Sequence, residues 1–312
     1  MFSLFELETL CGDEEKLQFF LCKYGVVRKV SKCLCGGSLS DSCKDGPSSY
    51  RRCYKCRKKI YAKSSSLLEG SHLTPKQWLY LAYFWAHDCA GERSVSMLGL
   101  SKQTVAVWSQ RFRVCVMNWE ASHSDSLPFG GKDKEVEADE CEIGRKRKGL
   151  HGHDTEVKGD FRGLFERETG RIFVEAYDKL KKDEDDRRFG PPNVHDVRPL
   201  VDMVASGSML CTDGARAYES ICKEYGMKWS SVDHSTGEFV RKQKLWGKVR
   251  VVSTQGIDGT WGRLKTFLRA RGGVSPDHLE SNVKEFQWRR NLSDDSDVFF
   301  AVLQCIKDGC FQ

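Results

Sequence analysis

The sequence has no long apolar run. Its longest wholly apolar stretch, Trp78 to Ala86, falls well short of the ~20 residues a membrane-spanning helix needs, so no membrane partner is expected. Proline is scarce, 7 in 312 residues. With 39% hydrophobic residues the chain carries enough apolar mass for packed cores, and its length suggests about two domains. Met1 to Leu10 holds neither Lys nor Arg, so neither a secretory signal nor an Arg-rich transit peptide is expected there.

What is present is charge in blocks and an excess of cysteine. Arg51 to Lys63 contains seven basic and no acidic side chains, and Phe239 to Ser275 has nine basic residues against the single acid Asp258. Blocks of one sign draw phosphate backbones by releasing condensed counterions, which makes a nucleic acid the expected partner beyond what the net charge of +6 implies.

Residues 1–30 read as a helical lead-in, 31–63 as a Cys-, Gly- and Ser-rich module, and 64–120 as a helical region opened by Thr74-Pro75. Residues 121–133 have linker composition. From 134 to 312 strand signals come first: Glu135 to Asp139, Phe161 to Arg167 and Arg171 to Tyr177, the last two joined by a turn. Helix and strand then alternate: a helix near Arg198 to Ala205, a strand Ser208 to Thr212, a helix Ala215 to Tyr225 and a strand Lys228 to Val232. Helices around Trp261 to Arg269 and His278 to Arg290 close the series. That order predicts an α/β domain built on a mixed sheet with helices on both faces.

Cys53-Tyr-Lys-Cys56 sets two thiolates on one tight turn, and Cys33-Leu-Cys35-Gly supplies a second pair upstream. Two short Cys turns face to face give the four soft ligands Zn2+ takes in a tetrahedron, and the metal replaces a core too small to form. The first knuckle has one intervening residue where two to four are usual, which leaves Cys43 as an alternative to Cys33. The solitary cysteines, among them Cys11, Cys211, Cys222 and Cys305, read as small core residues.

Glu92 to Trp119 has the outline of a helix-turn-helix: a short helix, a Gly99-Leu100 turn and a Ser101 start to the next helix. In that motif the second helix places its first residues against base edges, here Lys102, Gln103 and Thr104. Plain helix packing explains the pattern nearly as well.

Three carboxylates draw attention. Asp139 follows an alternating strand and Asp213 ends the apolar run Met-Leu-Cys-Thr. Acids on neighbouring strand termini can share a divalent metal, although a charge at a strand end is ordinarily just solvated. Asp258 is the lone acid of its basic block and precedes a helix with Trp261, Leu264 and Leu268 on one face.

Taken in order, these pieces resemble Merlin-type DDE transposases and their bacterial insertion-sequence relatives. The carrying segments are Arg52 to Arg57, Glu137-Ala-Asp139-Glu140 with Ile143 to Lys146, Gly170 to Glu175, Thr212-Asp213 through Tyr218, Val232 to Ser235 with Phe239-Val240, Ile257-Asp258-Gly-Thr-Trp261 with Leu264-Lys265, and Glu285 to Arg289. The resemblance implies an RNase H-like catalytic domain behind a small zinc ribbon and a helix-turn-helix-like region. It implies binding of double-stranded DNA at transposon ends and target, a homo-oligomer on that DNA, and metal-dependent strand cleavage and strand transfer. Asp139, Asp213 and Asp258 become the first, second and third ligands of Mg2+ (or Mn2+), and His234 a candidate at the scissile phosphate or an ordering residue. Arg145, Lys146, Arg263 and Lys265 are further candidate DNA contacts.

The sequence departs from the family in three places. The third acid is Asp where Merlin elements have Glu, Asp233 stands where Asn is common, and Lys181 to Asp196 reads as an insertion. A copy that kept the fold but lost the geometry would be a domesticated, inactive DNA-binding protein, the alternative function. The expected location is the nucleus in a eukaryote or the cytoplasm and nucleoid in a bacterium.

Overall fold

The computed structural model describes all residues except 30, 46–47, 65, 90, 124–127, 144–158, 178–193, 272–273 and 310–312. Arg145, Lys146 and most of the expected insertion, residues 181–193, lie outside the described residues; its last residues, Val194 to Asp196, are helical. The chain divides into two compact units, Met1–His123 with Leu292–Gln312, and Ser124–Asn291.

In the first unit, the expected helical lead-in is two helices, α1 (Leu4–Gly12) and α2 (Glu14–Lys23). Ser3 and Glu6 cap α1 reciprocally, and Asp13 stops it and caps α2 through the amides of Glu15 and Lys16. A small antiparallel sheet follows, β1 (Cys43–Asp45), β2 (Ser48–Arg52) and β3 (Lys59–Tyr61). The helical region holds α3 (Pro75–Ala86), α4 (Glu92–Leu98) and α5 (Lys102–His123). Thr74 and Gln77 form a capping box on α3, as the Thr-Pro start predicts. The interior between α3 and α5 is aromatic: Trp78 packs edge-on against Trp108 and Phe112, at ring-centroid distances of 6.1 and 5.8 Å. Gly99 closes α4 in the left-handed conformation at φ +62°, and Ser101 caps α5 through the amide of Thr104, which gives the helix-turn-helix outline its turn.

The sequence reading carried one domain to residue 312, whereas the second unit closes at Asn291. The last helix, α10 (Val298–Gly309), is amphipathic, and its apolar face finds its complement in the first unit. Phe299 packs edge-on against Tyr83 of α3 at 5.3 Å, and Asn118 of α5 donates to the Gly309 carbonyl at 3.3 Å. The stretch 121–133, expected as a linker, instead holds the end of α5 and the two-residue strand β4 (Phe129–Gly130).

The second unit is built on one five-stranded sheet. Its strands are β5 (Glu135–Ile143), β6 (Gly159–Glu166), β7 (Ile172–Ala176), β9 (Met209–Thr212) and β10 (Lys228–Ser231), in the order β10-β9-β5-β6-β7. β5, β6 and β7 run antiparallel as a meander, while β9 and β10 run parallel to β5. This is the RNase H-like mixed sheet. The two-residue β8 (Val204–Ala205) pairs with β4 outside it.

Alternation along β5 sorts the layers. Val136 and Ala138 face one side, where α6 (Val194–Asp202) and α7 (Arg216–Glu224) cover them with Val197, Leu200, Tyr218 and Ile221. Cys141 and Ile143 face the other, under α8 (Gln255–Ala270) and α9 (Pro276–Asn291). α8 buries Ile257, Trp261, Leu264 and Leu268 at helical spacing. Between β10 and α8 stands a hairpin absent from the sequence reading, β11 (Arg241–Leu245) and β12 (Lys248–Val252).

Candidate active site and zinc site

The position of Asp139 follows from strand register. Glu137 pairs with Cys211 across the parallel β5/β9 ladder, so continuing two residues on each strand brings Asp213 level with Asp139. Both have the parity of Cys141, and therefore the face covered by α8. Neighbouring strands lie about 4.8 Å apart, and the Asp213 charge acts on Asp139. The adjacent acid, Glu140, has the opposite parity and receives the Tyr218 hydroxyl at 2.5 Å on the other face. Asp139, rather than Glu140, is on the face that α8 covers.

β5 does not end at Asp139, as the sequence suggested, but runs on to Ile143. The local terminus is that of β9, whose pairing stops at Thr212 before Gly214, at φ +100°, turns the chain into α7. Asp139 is half-buried, with Trp261 Nε1 donating to its Oδ2 at 2.9 Å. Gly163, its partner on β6, makes room for this: a Cβ there would stand 2.9 Å from the Trp261 ring. Burial, then the charges of Glu140 and Asp213, push Asp139 up to about 8. The Trp261 bond opposes them and the Asp258 charge adds to them.

Asp258 lies in the first turn of α8, exposed, with Thr254 Oγ1 donating to its Oδ2 at 3.0 Å. The same Thr254 oxygen is 3.2 Å from His234 Nε2. Since the single hydroxyl proton goes to Asp258, Thr254 is the acceptor in the second bond, which calls for His234 protonated on Nε2. His234 thus reaches the third acid through Thr254. The sequence reading missed Thr254 and the bond made by Trp261. The available signal was spacing, since both lie within four residues of Asp258 on one helix.

The start of α8 is held by a buried ion network. Glu137, 2% exposed, accepts the amide of Ile257 at 2.9 Å and Arg167 Nε at 2.6 Å. Arg167 also binds Glu135 and the Ser253 carbonyl, at 2.5 and 2.7 Å. Burial raises the Glu137 carboxyl and Arg167 opposes that rise. Gly256 fits only without a side chain, since a Cβ would stand 2.3 Å from Phe165 and 2.9 Å from Glu137. Glu285, the other acid weighed from the sequence, is fully buried between Arg271 and Arg289 on the α9 side and is structural.

Asp139, Asp213 and Asp258 offer hard oxygens of the kind that Mg2+-class cations take, but their ligand atoms do not all lie within 4.8 Å of one another, as those of the cysteines do. The cysteines suit a softer ion. Cys33, Cys35, Cys53 and Cys56 are, among the described residues, the set of metal-ligand side chains whose ligand atoms all lie within 4.8 Å of one another. Cys33–Cys56 and Cys35–Cys53 are each 3.5 Å apart. A tetrahedron with ~2.3 Å Zn–S bonds has edges of about 3.8 Å, so the set fits zinc. The unusual one-residue knuckle works because Gly36, at φ +76°, and Gly37 let the chain fold onto the second knuckle. A Cβ on Gly37 would meet Cys53 Sγ at 2.6 Å. Cys43 sits exposed in β1, its sulfur turned to the Asp41 carbonyl, and is not part of the set.

Of the expected DNA-contacting residues, Lys102 is ion-paired with Glu92 at 2.8 Å and the Thr104 hydroxyl is 2.8 Å from Ser101 at the cap. Gln103, Arg263 and Lys265 are exposed.

The strand order is that of an RNase H-like sheet, with Asp139 on β5, Asp213 just past β9 and Asp258 in the first turn of α8, the fold of a DDE-type transposase. The ISXO2-like transposase domain matches residues 125–291, and the chain belongs to that family. No curated protein sequence matches the chain. Among solved structures, the HTLV-2 integrase catalytic core domain in complex with magnesium is 13% identical, covering 55% of this chain and 94% of its own, at a TM-score of 0.30. A simian T-cell lymphotropic virus intasome in complex with PP2A regulatory subunit B56 gamma is 10% identical, covering 70% and 74%, also at 0.30. Such scores add nothing to the assignment, which rests on strand order and the family match. Among the described residues no helix is long and apolar enough to cross a membrane.

Proposed function

We propose that the chain binds the ends of its own element in double-stranded DNA and carries out metal-dependent strand cleavage and strand transfer. What supports this reading is the parallel β5/β9 ladder, which runs toward Asp139 on β5 and Asp213 just past β9, together with the charges of Asp213 and Asp258 that act on Asp139. In this reading the three carboxylates hold Mg2+ or Mn2+. Two such ions about 4 Å apart would activate the attacking oxygen and stabilise the leaving one. Trp261 fixes the Asp139 rotamer, and Thr254 with His234 fixes Asp258.

In cleavage a water oxygen bonds to phosphorus as the bond to the 3′-oxygen breaks, leaving a 3′-hydroxyl and a 5′-phosphate. In transfer the freed 3′-hydroxyl takes the place of water on a target phosphodiester. The zinc ribbon (31–63) and helical region (64–120) serve end recognition, and the sheet from 134 onward carries the chemistry. A homo-oligomer pairs the two ends, in the nucleus of a eukaryotic host or the nucleoid of a bacterial one.

The test uses duplex DNA carrying the terminal repeats that flank the gene, with Mg2+ or Mn2+. Wild type yields nicked and joined strands, and Asp213→Asn yields neither while binding the same duplex. Equal activity in both proteins refutes the assignment; binding without cleavage in wild type points to a domesticated DNA-binding protein.

A further inference from the structure

The hairpin β11/β12 carries a surface that neither the fold nor the acidic site uses. Its register pairs Lys242 with Val251 and Lys244 with Val249 on one face, and Gln243 with Arg250 and Leu245 with Lys248 on the other. The second face is docked: Gln243 receives the Ser230 hydroxyl at 2.8 Å, Arg250 reaches Glu135 at 3.3 Å, and Leu245 packs on the small core of Met209, Cys211, Val232 and Val252. The first face is open. Val249 is 66% and Val251 43% exposed, and neither lysine is ion-paired among the described residues.

β-branched residues in solvent alternating with unpaired lysines are costly unless something covers them, and the charge says what. The ribbon from Arg241 to Val252 has five basic side chains and no acid. Its tip is rigid, since Trp246 and Gly247 both take positive φ, +47° and +75°, the geometry of a tight two-residue hairpin turn. The Arg250 guanidinium lies over the Trp246 ring, 5.5 Å from its centroid. Both feet of the ribbon stand at the acidic site. Phe239, just before β11, packs on His234 at 5.1 Å, and Thr254, two residues past β12, binds Asp258.

We infer that the outer face of the β11/β12 ribbon is a duplex-DNA contact, laying Lys242 and Lys244 on backbone phosphates and Val249 and Val251 against sugars and base methyl groups. A two-stranded ribbon is of the size the major groove admits, and apolar side chains there meet thymine methyls. The inference rests on the proposed transposase function and extends it: the arm that leads into the third acid also clamps the strand being cut.

The experiment compares the full-length wild type with Lys242→Ala/Lys244→Ala and Lys242→Arg/Lys244→Arg. It measures affinity for a labelled random-sequence duplex across a salt series, together with Mg2+-dependent nicking and sedimentation. Each phosphate neutralised contributes ~0.9 to the slope of log K against log salt, so the alanine pair lowers the slope by about 1.8 and weakens binding roughly tenfold. The arginine pair keeps both. The variants retain the wild-type melting point, because the replaced ammonium groups are in solvent. An unchanged slope in the alanine pair overturns the inference while leaving the transposase reading intact if wild type still nicks DNA. A wild type that does not bind the duplex overturns it as well. An unchanged slope with altered sedimentation marks the face as a contact between copies of the chain, and likewise overturns it. A reduced slope in the alanine pair, beside a wild type that binds but never nicks, upholds the ribbon and counts against catalysis.

Discussion

Removing the charge of Asp139 is expected to make the metal-free protein more stable, which separates a functional acid from a structural one. Burial and the neighbouring acids push Asp139 up to about 8, whereas in the unfolded chain it titrates near 3.8. Between those pH values the folded protein holds a proton that the unfolded chain has lost, so stability falls as pH rises through the interval. Each pH unit corresponds to about 1.4 kcal/mol, for an upper bound of ~6 kcal/mol. Water and counterions at the half-exposed rim reduce this to about 2 kcal/mol. For a unit of this size that is a melting-point difference of about 4–8 °C. Thermal unfolding in chelator at pH 5 and pH 8 should show wild type losing stability at the higher pH while Asp139→Asn does not. At pH 8, Mg2+ should raise the wild-type melting point, because the cation replaces the proton, and leave the variant unmoved. If wild type and variant show the same pH dependence, or respond equally to Mg2+, the electrostatic account of this site is wrong.

Elemental analysis should give about one zinc per chain, and Cys53→Ser or strong chelation should unfold the 31–63 module; a zinc-free chain with native dispersion of its ribbon resonances contradicts this. Gly256→Ala forces Phe165 and Glu137 aside, at a cost of about 1–3 kcal/mol by chemical denaturation, and should lower cleavage by shifting Asp258. Asp258→Ala should leave a folded, inactive protein, whereas Glu285→Ala removes a fully buried acid from between two half-buried arginines and should cost about 3–5 kcal/mol; the reverse pattern would mean that the third carboxylate is misassigned. Thr254→Val should reduce kcat about tenfold with DNA affinity unchanged, and Thr254→Ser should restore it; a silent valine variant removes Thr254 and His234 from the site.

A mixed sheet with helices on both faces was legible in the sequence because the alternation of Val136, Ala138, Leu164 and Leu210 matches a sheet covered on two faces, and because Asp213 follows an unbroken apolar strand; the order of its strands was not. The same logic hid the length of β5. Glu140 and Glu142 look like an exposed end, yet Cys141 and Ile143 continue the buried parity beneath α8. α8 looked shorter than it is, since Gly256 and Gly259 fall ahead of the helix expected around Trp261, whereas Gly256 marks a close approach to Phe165. The ribbon was masked by charge: Lys242 to Val251 alternates as a strand should, but with lysine and valine on its open face rather than in a core. The two cysteine knuckles were readable from spacing alone, and the choice of Cys33 over Cys43 was not, because it depends on how Gly36 and Gly37 bend the chain. The placement of α10 was invisible, since a helix amphipathic in sequence does not say which core it completes.

The central claim is that Asp139, Asp213 and Asp258 together hold divalent ions at the edge of the sheet. Crystals soaked in manganese and measured for anomalous scattering test it directly. The account predicts density bounded by all three carboxylates at about 2.1–2.2 Å from their oxygens, and its loss in Asp213→Asn; manganese bound elsewhere, or bound equally in that variant, would contradict it.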